Sequence, residues 1–137
     1  MNPEQAIVDS SVYVSLLRQG RFQKELLELP LLVRYSAVVI AELLRGARSK
    51  RARSIIHDLY GDRPLLTPTQ AHWSTSGEIT AALGEAKRYD PSKLRELHFD
   101  VLIALSARSI GAHVITSNAE AFLAIRAIRG FKLVIWS

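Results

Sequence analysis

The sequence predicts an α/β fold: a short parallel sheet of four to five strands, with helices covering both faces. Three features lead there. Short, nearly continuous apolar runs alternate with longer segments of helical periodicity. Gly, Pro and capping residues mark most junctions between them. Acidic and hydroxyl residues stand where apolar runs end, as strand-to-helix turns require. At 137 residues and 48% hydrophobic, the chain is the size of one domain with a real core, taken as 1–137.

The elements follow in order. Ala6-Ile7-Val8 suits a buried strand, and Asp9-Ser10-Ser11 supplies helix-start residues. Val12 to Leu17 and Arg21 to Leu29 read as two helices split by Gly20, the second stopped by Pro30. Tyr35 and Ser36 lead into the apolar stretch Ala37 to Leu44, with Gly46 as a helix C-terminal signal. Ser49 to Leu59 is a polar helix closed by Gly61, and Leu65-Leu66-Thr67 is read as a second short strand. Pro68-Thr69 opens a helix to about Arg88, and Pro91-Ser92 another to about Ser109, closed by Gly111. His113 to Thr116 and Lys132 to Trp136 are further strands, with a helix from Ala119 to Ile128 between them.

Composition narrows the function classes. Charged residues at 23% give no sign of disorder. The absence of cysteine excludes a disulfide framework, thiolate metal ligands and a cysteine nucleophile. The opening MNPEQAIVDSS lacks the basic and apolar regions of a signal peptide, and no apolar run approaches the roughly 20 residues that cross a bilayer. The expectation is a cytoplasmic protein without membrane association. A net charge of +5 and a pI near 9.9 favour a polyanionic partner.

In open α/β sheets, ligands gather at the carboxyl ends of the strands. Asp9 directly follows the first strand, and Thr116, Ser117 and Asn118 follow the later one. Each also has a plain explanation as a helix cap. Glu42 and Asp100 are harder to place. Glu42 lies in Ala37-Val38-Val39-Ile40-Ala41-Glu42-Leu43-Leu44, apolar on nearly every face, where an ionised carboxylate needs a partner, a metal or a raised pKa. Its bland partner is Arg45, three residues on. Asp100 falls roughly 60° from Leu97 at about 100° per residue, at the edge of a stripe formed by Leu94, Leu97, Val101, Ala104 and Leu105. Asp9, Glu42 and Asp100 together suggest a metal cluster.

Mg²⁺ takes oxygen ligands, commonly one or two carboxylates with waters and a substrate phosphate. It activates water and neutralises charge in phosphoryl chemistry, so no histidine base is needed. His57, His72 and His113 have no acid or nucleophile at a recognisable spacing, and His98 projects about 200° away from Asp100. All four are read as surface or boundary residues.

Four segments, in order, resemble the motifs of PIN-domain ribonucleases, in particular the VapC-type toxins of toxin–antitoxin pairs. Val8-Asp9-Ser10-Ser11-Val12 is similar to the first motif. Ser36-Ala37-Val38 through Glu42-Leu43-Leu44-Arg45-Gly46 is similar to the second, with its Glu-Leu-x-x-Gly core. Asp100-Val101-Leu102-Ile103-Ala104-Leu105-Ser106-Ala107 is similar to the third, and Val114-Ile115-Thr116-Ser117-Asn118 through Phe122 to the fourth. The resemblance implies a PIN-like three-layer sandwich and a Mg²⁺- or Mn²⁺-dependent endoribonuclease. It further implies a homodimer neutralised by a cognate antitoxin. Asp9, Glu42 and Asp100 would hold the metal, and Asn118 would complete the catalytic set. Ser10 and Thr116 would meet the RNA substrate. The fourth motif position, often Asp in the family, is Asn118 here; it holds a water or phosphate oxygen but adds no charge. Ala121 stands where Asp or His often precedes the Phe, and Glu120 is a candidate to compensate.

Arg45, Arg48, Lys50, Arg51 and Arg53 crowd one stretch with no acid among them. Arg45, Arg48 and Arg51 are taken as phosphate contacts, against the alternative of a solvated helix face. Trp73 and Trp136 can stack bases, although a small domain more often uses such residues as core. Val12, Leu16, Phe22, Leu26 and Leu29 recur at helical spacing and are read either as core or as the walls of an antitoxin groove. Competing functions are a phospho-acceptor or phosphate-handling enzyme, a PIN ribonuclease that is not a toxin, and a catalytically weakened RNA-binding module. The first wants a second acid beside Asp9, where Ser10 and Ser11 stand instead.

Overall fold

The computed structural model describes residues 3–137. Four strands form one parallel sheet: β1 (Gln5–Val8), β2 (Leu32–Arg34), β3 (His113–Thr116) and β4 (Lys132–Ile135). Their order is β2-β1-β3-β4, with Ile7 opposite Val114 and Arg34, and Ile115 opposite Val134. Seven helices connect and flank them: α1 (Ser10–Gln19), α2 (Gln23–Leu27), α3 (Ala37–Gly46), α4 (Lys50–Tyr60), α5 (Gln70–Lys87), α6 (Pro91–Ser109) and α7 (Ala119–Ile128). The two central strands are almost wholly buried, which is why they read as unbroken apolar runs rather than alternating ones.

Caps set most boundaries. Asp9, Ser36, Ser49, Thr69 and Asp90 each accept backbone N–H groups at the start of α1, α3, α4, α5 and α6. Thr69 forms a reciprocal box with His72. Gly20 ends α1 with φ +69°, returning its N–H to Leu16 and Ser15, a conformation that costs glycine least. Gly84 lets α5 and α6 pack closely, since a Cβ there would meet Leu94 at 2.9 Å.

Several expectations are corrected. The second strand is Leu32–Arg34, not Leu65–Thr67. Within 65–67 only Leu66 pairs, as an isolated bridge to Ser36, because Pro64 and Pro68 flank it and limit ladder formation. The helix expected over Arg21 to Leu29 shrinks to Gln23–Leu27. Phe22 takes φ +70° ahead of it, and Leu29 precedes a proline, which disfavours helical geometry. Gly46 is the last helical residue of α3, and Ala47 turns the chain out in extended geometry.

The largest departure concerns α6. Asp100 through Ala107 are all buried, so the second half of this helix is covered on every side rather than along one stripe, while its first turns stay largely exposed. It packs against α3, α5, α7, β1 and β3. Asp100 therefore opens a buried segment instead of lying at a stripe's edge. Among the described residues, no helix is long and apolar enough to cross a membrane.

Candidate metal centre

The strand order reverses between β1 and β3: β1 leads outward to β2 on one side, β3 to β4 on the other. A crevice forms at the carboxyl ends of strands flanking such a point. Asp9 and Thr116 stand there, one after β1 and one at the end of β3. The Asp9 N–H donates to Ile115 O at 2.8 Å, which fixes the register of the two ends.

The Asp9 carboxylate is 2% exposed, and its two oxygens are treated differently. Oδ2 accepts from Ser11 Oγ at 2.8 Å and Thr116 Oγ1 at 2.9 Å, with the Ser11 N–H at 3.4 Å. Each hydroxyl oxygen accepts a backbone N–H in turn, Ser117 to Ser11 and Asn118 to Thr116. Both hydroxyl protons are thus committed to Asp9, and the 3.2 Å approach of Ser11 Oγ to Thr116 Oγ1 is proximity rather than a bond. Oδ1 is buried and has no hydrogen-bond partner among the described residues. A bare carboxylate oxygen in this position carries a desolvation penalty that a cation would offset.

Two further acids converge on it. Glu42 comes from the middle of α3, and Asp100 from α6. One carboxylate oxygen from each of Asp9, Glu42 and Asp100 lies within 4.8 Å of the others. Ser10 Oγ donates to Glu42 Oε1 at 3.5 Å, a long contact that steers the glutamate from the first turn of α1. Arg45 does not pair with Glu42: among the described residues the one ion pair joins Lys132 to Glu4, and the Arg45 guanidinium rests over the Phe99 ring at 5.6 Å.

The electrostatics match three acids sharing one space. Burial pushes the Asp9 carboxyl up, against the pull of its hydrogen bonds. Burial and then the Asp9 charge raise Glu42 to about 7, with Arg45 pulling the other way. Burial, Asp9 and Glu42 raise Asp100 to about 8. Without a cation the three resist ionising together; a divalent ion removes both the burial and the repulsion penalties. Hard oxygen donors, an orphaned oxygen and mutual repulsion all fit a hard divalent cation.

The remaining sequence candidates divide. Thr116 and Ser10 touch the carboxylates. Asn118 stands at the start of α7 without capping it through its side chain, so the plain capping explanation does not hold there. Glu120 does not join the cluster and instead borders a groove with Tyr89 and Leu123. Arg48 and Arg51 are exposed, and among the described residues neither forms an ion pair with the carboxylates. Two residues escaped sequence reasoning. Ser11 is the main holder of Asp9, and its position two residues after an N-cap was the available signal. Glu96, one helical turn before Asp100, adds to the negative field on both Glu42 and Asp100.

A family model described as PIN domain matches residues 6–127. The chain belongs to the PIN domain family. No curated protein sequence matches it. Among solved structures, this PIN domain is similar to VapBC2 from Rickettsia felis, bound to a DNA fragment from its promoter. That match has 20% identity and TM-score 0.68, over 97% of this chain and 99% of the other. VapBC-1 from nontypeable Haemophilus influenzae gives 20% identity and TM-score 0.70, over 96% and 98% of the two chains. VapBC-5 from Mycobacterium tuberculosis, a member of a toxin–antitoxin family, gives 19% and 0.65, over 98% and 100%. At these identities the likeness is one of fold.

Proposed function

We propose that this PIN domain is a metal-dependent endoribonuclease and the toxin of a VapBC-type pair, with Mg²⁺ or Mn²⁺ held by Asp9, Glu42 and Asp100. The observation that carries the reading is the orphaned, buried Asp9 Oδ1 within a three-carboxylate cluster at the sheet's switch point. When bound, the ion would polarise a phosphodiester and activate water at neutral pH.

The chain's own groups prepare that chemistry. Ser11 and Thr116 saturate Asp9 Oδ2 and leave Oδ1 for the cation. Ser10 steers Glu42. We assign Ser10 and Thr116 to holding these carboxylates, because their hydroxyl protons already point there. Asn118 would offer its amide to a water or phosphate oxygen without adding charge. Arg45, beside Glu42, and the exposed Arg48 and Arg51 would bind substrate phosphates and position RNA without reading its sequence.

The fold likeness to VapBC assemblies supports a cognate antitoxin as partner; the homodimer rests on the motif resemblance and the cytoplasmic setting on the sequence alone. The apolar groove for an antitoxin helix is better placed between α1 and α4 than along α1 and α2. Val12 and Phe22 are core residues, whereas Leu17 and Ile55 are exposed and border a hollow of about 260 Å³ with Arg18. The direct test is RNA cleavage by the purified chain. Activity with Mg²⁺ that EDTA abolishes is expected, and metal-independent cleavage would sink the metal assignment.

A further inference from the structure

Beside the carboxylates lies an apolar hollow of about 450 Å³ bordered by α3, within the range of small-ligand sites. Its walls include Ala41, Thr67, Trp73 and Phe99, and its rim carries Glu42 and Arg45. It shares Glu42 with the acidic cluster, and Phe99 is the sequence neighbour of Asp100. A polymer with a phosphate at the carboxylates would bring a neighbouring residue within reach of this opening.

The hollow's aromatic wall is braced from behind. Trp73 is 51% exposed, unusual for so large a ring on a folded domain. Its inner edge meets the His98 ring at 6.1 Å in a near-perpendicular arrangement. His98 Nε2 lies 2.7 Å from Ser76 Oγ, and that hydroxyl donates to the Trp73 carbonyl. With its one proton so committed, Ser76 accepts from His98, which fixes His98 with its proton on Nε2. The chain Trp73–Ser76–His98 thus holds a half-exposed indole at a set orientation. Across the hollow, Arg45 lies over Phe99 and has no carboxylate partner among the described residues.

Resting on the ribonuclease reading above, we infer that this hollow receives one unpaired nucleobase of the RNA, adjacent to the phosphate held at the carboxylates. A flat, aromatic, polar-edged group matches an indole face and a phenyl ring, and stacking of this kind accepts any base. Arg45 at the rim supplies the cation that the base's own phosphate requires, and its planar guanidinium stacks as well as pairs. A base within a duplex is already stacked on both faces, so the subsite selects single-stranded or extruded nucleotides. Thr67 also lines the hollow.

The test uses a short single-stranded RNA whose cleavage position has been mapped, and the same RNA with one base at a time replaced by an abasic ribose. For the wild-type chain, kcat/KM should fall about tenfold or more at one position next to the cleaved phosphate and little elsewhere. Trp73→Ala should lower kcat/KM on intact RNA about fivefold to a hundredfold, and removing that same base should then cost nothing further. Trp73→Phe should retain most of the activity; Trp73→Leu replaces the alanine variant if that protein does not fold. Cleavage by the wild type with a flat abasic scan, or Trp73→Ala activity equal to wild type, overturns the subsite and leaves the nuclease reading standing. Failure of the wild type to cleave any RNA with metal removes both. Indole fluorescence that shifts with protein concentration, together with a flat scan, would assign the hollow to a second copy of the chain and overturn the subsite.

Discussion

The Thr116 hydroxyl at the end of β3 donates to Asp9 Oδ2 at 2.9 Å across the paired strands, and the Asn118 N–H donates back to the same hydroxyl. Asp9 is thereby oriented by a residue 107 positions away in sequence. Ser11 performs the matching task from α1. A carboxylate held by two hydroxyls on one oxygen presents its other oxygen in a fixed place. Such supporting hydrogen bonds commonly decide how well a metal ligand works.

Thr116→Val keeps the shape of the side chain and removes the donor. The expected outcome is a folded protein whose apparent Mg²⁺ affinity is about 10- to 100-fold weaker. Activity should recover in part at high Mg²⁺. Isothermal titration with Mg²⁺ or Mn²⁺ measures the change, and unaltered affinity would show that Asp9 needs no support from β3.

Asp9→Asn and Asp100→Asn remove the charges themselves. Each should lower RNA cleavage by about a hundredfold or more, on the order of losing one strong electrostatic stabiliser. Circular dichroism should stay unchanged, since the asparagine fills the same volume. Full activity in the Asp100→Asn protein would exclude that residue from the chemistry.

The acids also set a pH dependence whose sign is determined. Asp9, Glu42 and Asp100 all titrate above the usual carboxylate range, Glu42 near 7 and Asp100 near 8. The metal-free fold therefore binds more protons than the unfolded chain between about pH 4 and pH 8. The stability that these three groups contribute is greatest below the ordinary carboxylate pKa and is lost as pH rises through the folded values. In EDTA, Tm should fall by several degrees between pH 5 and pH 8.5. Saturating Mg²⁺ binds the ionised form, so its stabilising effect should grow across the same window. A Tm in EDTA that rises from pH 5 to 8.5 would contradict the burial of these groups.

Most of the architecture was legible because its signals are local. Ser36, Thr69 and Pro91 mark helix starts, and the runs at Ala6 to Val8 and His113 to Thr116 mark central strands. The edge strand Leu32–Arg34 was not legible: three partly exposed residues carry no periodic signal, and their pairing with Gln5 to Ile7 is non-local. The convergence of Asp9, Glu42 and Asp100 was suggested by charge on apolar segments, which is a local cost. The role of Ser11, the bare Asp9 Oδ1 and the Trp73 hollow depend on which helices meet, and no spacing encodes that. Motif order supplied what periodicity could not.

The basic stretch after α3 is open to a direct measurement. Arg48 and Arg51 are exposed, so their replacement should leave the core intact. Arg48→Ala with Arg51→Ala should weaken binding to all RNA sequences alike. It should also flatten the salt dependence of binding by roughly one unit for each lost phosphate contact. An unchanged slope would return both residues to the role of a solvated, solubilising face.

The toxin assignment is tested in cells. Expression of the wild-type chain alone in a bacterial host should arrest growth, and Asp100→Asn should relieve the arrest at equal protein level. Co-expression of a small neighbouring gene should restore growth through a protein that binds the chain. The groove between α1 and α4 supplies a second, independent handle, because its exposed Leu17 and Ile55 lie outside the carboxylate cluster. Leu17→Glu with Ile55→Glu places two charges where an apolar helix would dock. The doubly substituted chain should still cleave RNA and still arrest growth, yet escape rescue by the partner. Rescue that persists would move the docking surface elsewhere. Harmless expression of folded, RNA-cleaving wild type would leave a PIN ribonuclease that is not a toxin, since cleavage without arrest separates the chemistry from the cellular role.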